Sequence, residues 1–313
     1  MKKLVILFVL SVIFNSCKDQ ASFKEYKTKH VIVIVIDGVR YSESWGDTTH
    51  KYIPYFSNEI ADFGIVSTAF YNNGETNTNS GHTAITSGNY QEINNFGKEF
   101  PTYPSIFQYL IKTDSLSKEK AWIITSKDKL AVLGNCTKSN WKDTYLPSLD
   151  CGINGDGVGS GYRHDTVTLK NFFNIMSKHQ PKLTLVSFRE PDGAGHANSW
   201  EDYLQQIRNT DEYIYEIWKY IQSHNYYSGV TTLFITNDHG RHSSVVPSIG
   251  FQEHGCRCEG CRHINFFAYG PDFKNGVVLD IEREIIDIPA TISELLHFNL
   301  EYIEGEVMYE LFQ

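Results

Sequence analysis

The sequence predicts an α/β protein in which a mostly parallel central sheet is sandwiched by helices. Three observations lead there. Short runs of Val, Ile, Leu and Phe alternate with helix-like stretches along the chain. In "HVIVIVI" the apolar residues are consecutive, as a strand covered on both faces requires. No linker-like segment interrupts residues 27–313, so a single domain is expected there.

The elements follow in chain order. Met1–Lys3 is basic, Leu4–Phe14 is apolar, and Asn15-Ser16-Cys17 follows. The apolar stretch is too short for a comfortable membrane span and reads as an export signal. A small residue before a Cys is similar to a bacterial lipoprotein signal. Residues 1–17 are therefore expected to be the signal, with Cys17 lipidated and anchored to the membrane of the cell envelope, and an ordinary secretory signal as the alternative. Residues 18–26 read as a polar tether. The strand-like runs are His30–Ile36, Ala121–Thr125, Leu183–Phe188, Thr231–Thr236 and Ile264–Tyr269, and the helix-like ones are Pro104–Ile111, Thr166–Lys178, Trp200–Gln222 and Ile288–His297. Asn198 or Ser199 can cap the long helix, with Glu201 and Asp202 in its first turn.

Composition narrows the function. Of 313 residues 41% are hydrophobic and 21% charged, which suits a protein with a sizeable core. The net charge of −9 and the absence of a basic run argue against nucleic-acid binding. Export permits disulfides. Cys136 and Cys151 flank a polar, Gly-rich segment that they can staple. Cys256, Cys258 and Cys261 form C-x-C-x-x-C; a zinc reading lacks a fourth nearby Cys, and one short disulfide with an odd thiol is expected instead.

The chemistry lies at the strand ends. Asp37-Gly38 follows the first strand, "REPDGAGH" with Asp192 and His196 follows another, and "NDHGRH" with Asp238 and His239 a third; His254 comes shortly before the last. In open α/β sheets ligands bind beyond the carboxyl ends of the strands. The Asp/His set suits two divalent cations, zinc most simply and manganese as the alternative. Single Asp-Gly or Asp-His-Gly pairs are common in loops; their joint placement carries the signal. In "GETNTNSGHTAITSG" a short helix over Asn79–Thr86 puts Thr78 at its N-cap, where helix dipole, backbone N–H groups and a metal favour an ionised hydroxyl and a phosphoryl oxygen. A purely capping Thr78 is the alternative.

This ordered set resembles the alkaline phosphatase superfamily, which includes nucleotide pyrophosphatase/phosphodiesterases, cofactor-independent phosphoglycerate mutases, phosphopentomutases and sulfatases. "VIDG" matches its first metal-binding Asp. "TNSGH" places Thr78 four residues before His82, as T-x-P-N-H, S-E-V-G-H and T-x-T-G-H do in its branches. "EPDGAGH" is similar to E-P-D-x-x-G-H and "NDHG" to S-D-H-G. The resemblance implies an alkaline phosphatase-like fold and Thr78 as nucleophile and metal ligand. It implies one metal on Asp37, Asp238 and His239, and another on Asp192, His196 and His254, with His263 as the competitor for the last position. Departures from the pattern matter as well. The nucleophile is Thr and lacks the sulfatase C/S-x-P-x-R motif. No Arg lies between Arg40 and Arg163 to clamp a phosphate, and no large mutase insertion follows Gly88. Gly81 stands where the phosphodiesterases have Asn, and Asn79 is the candidate substitute. Arg163 is a candidate substrate contact, weighed against a structural role.

The expectation is therefore a lipid-anchored, two-metal hydrolase of small phosphoric esters. A sulfatase-like hydrolase or a phosphoryl or headgroup transferase on the same site is the alternative, and a surface metal-binding module is the non-enzymatic one.

Overall fold

The computed structural model describes residues 24–244 and 250–313. The expected signal and Cys17 lie outside the described residues. The tether ends earlier than expected: Tyr26 is buried, and its hydroxyl donates to Glu294 Oε1 at 2.7 Å. Among the described residues, no helix is long and apolar enough to cross a membrane.

The strands are β1 His30–Ile36, β2 Ile65–Ser67, β3 Phe70–Tyr71, β4 Ala121–Thr125, β5 Ser148–Cys151, β6 Leu183–Phe188, β7 Thr231–Thr236, β8 Phe266–Tyr269, β9 Val277–Leu279 and β10 Arg283–Glu284. The helices are α1 Thr78–Ser87, α2 Ile106–Asp114, α3 Asp165–His179, α4 Glu190–His196, α5 Trp200–Ser223, α6 Glu259–Arg262 and α7 Asp287–Leu296. Eight strands form the main sheet in the order β5-β4-β6-β1-β7-β8-β2-β9. β1 lies at its centre, parallel to both β6 and β7. β8 runs antiparallel to β7 and to β2, so the sheet is mostly parallel.

The consecutive apolar run of β1 has a direct structural cause. Val31, Val33 and Val35 pack into the core on one face, and Ile32 and Ile34 into the core on the other. With both faces covered, the strand ends mark where polar chemistry can begin. β1, β6 and β7 are adjacent and parallel, so Asp37, the segment after Phe188 and the segment after Thr236 all emerge at one edge.

Two helix starts position the site, and the second corrects an expectation. "EPDGAGH" forms helix α4, with Pro191 in its first turn, where the missing N–H has no intrahelical partner to lose. A helix puts Asp192 and His196, four residues apart, on one face. The first helix starts one residue early, with Asn77 as the capping position and Thr78 as the first helical residue. The long helix keeps the expected cap: Ser199 Oγ accepts from Asp202 N.

Among the described residues all five cysteines are free thiols. Cys136 and Cys151 are buried among apolar residues of the core rather than stapled together. The expected short disulfide within C-x-C-x-x-C is absent, and Cys256 Sγ and Cys261 Sγ lie 3.8 Å apart.

Candidate metal centre and nucleophile

Asp37, Asp192, Asp238 and His239 are buried together beyond the ends of β1, β6 and β7. Asp238 Oδ1 accepts from the backbone N–H groups of His239 (2.9 Å) and Gly38 (3.3 Å). Its other oxygen, Oδ2, has no hydrogen-bond donor and lies 3.4 Å from His239 Nε2, which is itself without a partner. His239 Nδ1 donates to its neighbour's carbonyl, Gly240 O, at 2.8 Å, leaving the Nε2 lone pair directed inward, 3.6 Å from Asp37 Oδ1. Neither Asp37 oxygen has a partner of hydrogen-bond geometry, although Lys127 Nζ lies 2.7 Å from Oδ2.

A second group adjoins the first. His196 Nε2 lies 3.4 Å and His254 Nε2 3.7 Å from Asp192 Oδ1, and the two imidazole nitrogens are 3.2 Å apart. His254 Nδ1 donates to Thr76 O at 2.8 Å, which fixes the tautomer whose Nε2 can ligate. The rings of His239 and His254 stack with centroids 3.9 Å apart, joining the two groups. Ligand atoms of Asp192, His196 and His254, and likewise of Asp37, Asp192 and His239, lie within 4.8 Å of one another. Asp192 is common to both. His263, the competitor for the last position, bonds Thr68 O through Nε2 and stacks on Tyr41, so the structure brings His254 to the cluster and not His263.

Electrostatics follow from this crowding. Burial, and then the neighbouring Asp238 charge, push the Asp37 carboxyl up to about 6. Burial also opposes ionisation of Asp192 and Asp238, but for Asp192 the Lys127, Arg241 and His254 groups more than offset it, and for Asp238 His239 and His82 do. Both carboxyls end below their usual range. Burial, then His239, depress His254 to about 2, so its imidazole is neutral at physiological pH. Neutral imidazoles and ionised carboxylates are the protonation states that divalent cations require. Each orphaned buried polar atom costs about 1–3 kcal/mol; a hard or borderline cation would satisfy Asp37, Asp238 Oδ2 and His239 Nε2 at once. The residues present therefore fit two divalent cations.

Thr78 belongs to the same cluster. Its side chain does not cap α1; its Oγ1 accepts from Lys127 Nζ at 3.2 Å, and the same ammonium donates to Asp192 Oδ2 at 2.7 Å. His82 supports the arrangement: Nδ1 donates to Thr78 O at 2.9 Å, Asp238 Oδ2 is 3.1 Å away, and Nε2 meets Ser187 Oγ at 2.8 Å. Gly81 explains its own departure from the resemblance. A Cβ there would lie 2.5 Å from the backbone oxygen of Asp238, so α1 comes this close to the segment after β7 only without a side chain at that position. Asn79 is fully buried beside Thr78; its N–H donates to Asn95 Oδ1 at 3.1 Å, and its own Oδ1 is left without a partner.

Three participants escaped the sequence reading. Lys127 follows β4 as Asp37 follows β1, so "SKDK" carries the same strand-end signal, but a lysine there is not a metal-ligating residue type. Lys129 Nζ, also buried, donates to Asn95 Oδ1 at 2.9 Å. Burial, then the Lys127 charge, lower Lys129 to about 8. Both lysines place cationic groups at the cluster, where the sequence has no Arg between Arg40 and Arg163. Arg241, fully buried, pairs with Asp192 Oδ1 and donates to the carbonyls of Phe251 and Gln252. Arg163, by contrast, is not brought to the cluster: its guanidinium is bonded to both oxygens of Asp150, to Gly152 O and to Thr168 Oγ1.

Comparison with known proteins agrees with this architecture. The phosphonate monoester hydrolase of Agrobacterium radiobacter superposes with a TM-score of 0.67 over 90% of this chain and 77% of its own, at 12% identity. The alkaline phosphatase PafA superposes with a TM-score of 0.64 over 93% and 99%, also at 12% identity. The PsFucS1 sulfatase of Pseudoalteromonas sp. gives 0.62 over 90% and 70%, at 15% identity. These likenesses concern the fold. In sequence, 135 residues are 24% identical to a 2,3-bisphosphoglycerate-independent phosphoglycerate mutase of Gracilaria tenuistipitata var. liui; they make up 43% of this chain and only a quarter of that protein. Residues 31–247 match the family described as type I phosphodiesterase / nucleotide pyrophosphatase. With a match over most of its length and this fold, the chain belongs to the type I phosphodiesterase / nucleotide pyrophosphatase family, within the alkaline phosphatase superfamily of hydrolases.

Proposed function

We propose that the protein hydrolyses phosphoric esters through in-line attack of Thr78 Oγ1 on phosphorus, with a phosphothreonine formed as the P–O bond to the leaving alcohol breaks, and water then restoring the hydroxyl. One observation carries the reading. A single buried ammonium, Lys127 Nζ, reaches Thr78 Oγ1 (3.2 Å), Asp37 Oδ2 (2.7 Å) and Asp192 Oδ2 (2.7 Å), so a hydroxyl meets both carboxylate–imidazole groups at one point.

Asp37, Asp238 and His239 would hold one divalent cation, Zn²⁺ or Mn²⁺, and Asp192, His196 and His254 the other, with Thr78 as a further ligand. Bound there, the two ions supply Lewis-acid stabilisation of negative charge on the attacking and leaving oxygens. The chain's own residues do the rest. Lys127 stabilises the ionised Thr78 hydroxyl. The start of α1 offers backbone N–H groups to a phosphoryl oxygen. His82 holds Thr78 through its carbonyl, and Lys129 places a second cation beside the site.

Two lysines in addition to a two-cation site favour the doubly charged phosphomonoester over a singly charged diester or sulfate ester. The basic Met1–Lys3 and the apolar Leu4–Phe14 stretch shortly before Cys17 support an exported protein held at the bacterial cell envelope by a lipidated Cys17.

Turnover of a phosphomonoester, a phosphodiester and a sulfate ester by wild type, Thr78→Ala and Thr78→Ser tests the proposal. Thr78→Ala is expected to lose activity by several orders of magnitude, as nucleophile deletions do, with the fold and most bound metal kept, and Thr78→Ser to retain part. Because Thr78 does not cap α1, a mere stability loss is not expected. A folded Thr78→Ala protein with near-normal turnover would show that Thr78 is not the nucleophile.

A further inference from the structure

Beside the catalytic cluster lies a second group of metal-ligating side chains that the proposed chemistry does not use. Cys256 lies in the loop before α6, Cys258 at the N-cap of α6 and Cys261 within it, and His242 lies in the segment that leaves β7 after His239. His242 Nδ1 lies 2.8 Å from Cys256 Sγ, 3.3 Å from Cys261 Sγ and 3.9 Å from Cys258 Sγ. The four ligand atoms all lie within 4.8 Å of one another. A tetrahedral zinc with ordinary Zn–S and Zn–N bonds sets its sulfurs about 3.8 Å apart and each nitrogen about 3.5 Å from a sulfur. The Cys256–Cys261 separation is 3.8 Å.

We propose that His242, Cys256, Cys258 and Cys261 form a closed Cys₃His structural zinc site. Three thiolates and a neutral imidazole fill all four tetrahedral positions, so no open position remains for catalysis. Loading balances as one Zn²⁺ taken up for three thiol protons released, leaving a net charge of −1 on the centre.

The backbone is already arranged around it. Gly240 N donates to Cys261 O (2.8 Å), His242 N to Glu253 O (2.9 Å) and Cys261 N to Cys258 O (3.0 Å). The site ties the segment carrying Asp238 and His239 to the loop carrying His254. The tie continues inward: Cys256 O accepts from Thr76 Oγ1 at 2.9 Å, and Thr76 O accepts from His254 Nδ1 at 2.8 Å. The zinc centre is thus a positioning device for His254. That consequence rests on the catalytic reading above; the zinc site itself does not.

Cobalt(II) reports on the two independently. The full-length purified protein, stripped of metal and reconstituted with cobalt, should show an intense thiolate-to-cobalt charge-transfer absorption equivalent to one ion per chain. The same band is expected in Asp37→Asn and Asp192→Asn, which weaken only the oxygen- and nitrogen-liganded sites. It should vanish in Cys258→Ser and His242→Ala, with turnover reduced by about 10- to 100-fold, the usual size of an effect on ligand orientation. The wild-type spectrum carries the test even if those variants fail to fold. A charge-transfer band in a protein that hydrolyses no phosphoric ester would uphold the zinc site and remove only its catalytic consequence. Cobalt-loaded wild type without the band, or mass spectrometry of the native protein showing two of the three cysteines joined as a disulfide, would overturn the site.

Discussion

Two buried polar clusters sit side by side at the strand ends, and they differ in one respect. Around Asp150, Arg163 and Asp165 the carboxylate oxygens have donors. Asp165 Oδ1 accepts from Ser126 Oγ (2.5 Å) and Arg189 N (2.9 Å), and its Oδ2 accepts from Glu190 N (2.8 Å). Asp150 receives a two-pronged contact from Arg163 at 2.7 and 2.9 Å. Around Asp37, Asp192 and Asp238 the charge is as concentrated, yet three carboxylate oxygens and one imidazole nitrogen have no partner of hydrogen-bond geometry, although Lys127 Nζ approaches one of them, Asp37 Oδ2, at 2.7 Å. Burial of charge is common to both clusters, so burial alone does not mark a functional site. What distinguishes the cluster around Asp37 is several unsatisfied carboxylate and imidazole atoms gathered at one point, since single unsatisfied atoms such as Glu190 Oε2 and Gln108 Oε1 also occur elsewhere among the described residues.

The comparison can be broken by substitution, and the largest effect belongs to the unsatisfied cluster. Asp192 is shared by both carboxylate–imidazole groups. Asp192→Ala should lower bound metal, chiefly at the position it forms with His196 and His254, and reduce turnover by orders of magnitude, measured by elemental analysis beside kinetics. Full metal content in the folded variant would contradict Asp192 as a metal ligand. The satisfied cluster should respond in the opposite way. Arg163→Ala leaves Asp150 as an uncompensated charge in a largely buried site and should cost about 3 kcal/mol of unfolding free energy, read by denaturant melts. Metal content and kcat of the folded fraction should stay close to wild type. A large fall in kcat without a fall in stability would return Arg163 to the list of substrate contacts.

The smallest expected effect sharpens the role of the lysines. Burial and Lys127 hold the Lys129 ammonium at about 8. Its charged form, the one that attracts an anionic ester, is present below that pH and lost above it. KM for a phosphomonoester should therefore rise several-fold between pH 7 and 9 in wild type. In Lys129→Arg, whose guanidinium stays protonated throughout, the profile should be flatter. Identical profiles in the two proteins would remove Lys129 from substrate binding.

Much of the candidate site was legible because its signals are local. Asp37 after β1 and Asp238-His239 after β7 announce themselves wherever an apolar run stops at an acid, and no knowledge of distant residues is needed. The "TNSGH" spacing is local too. Other features were illegible for a physical reason. Whether "EPDGAGH" turns or coils depends on packing: α4 forms against α5, and Gly195 leaves room for the Arg241 side chain, which a Cβ there would overlap. Gly81 looked like the loss of a phosphate-binding side chain, whereas it is the condition for α1 to approach Asp238.

What the sequence determined by itself, then, is the alternation of elements, the doubly covered central strand, and the acids and imidazoles at the strand tips, since side-chain periodicity and strand length act over a few residues. Only the tertiary structure decided which cations join those acids and which histidine completes the cysteines. Lys127 meets Asp37 and Asp192 from an intervening strand, Arg241 meets Asp192 across nearly fifty residues, and His242 reaches Cys256 over fourteen. Such pairs form because parallel strands bring their carboxyl ends to one edge, where buried charges must find partners at whatever separation along the chain the sheet order imposes.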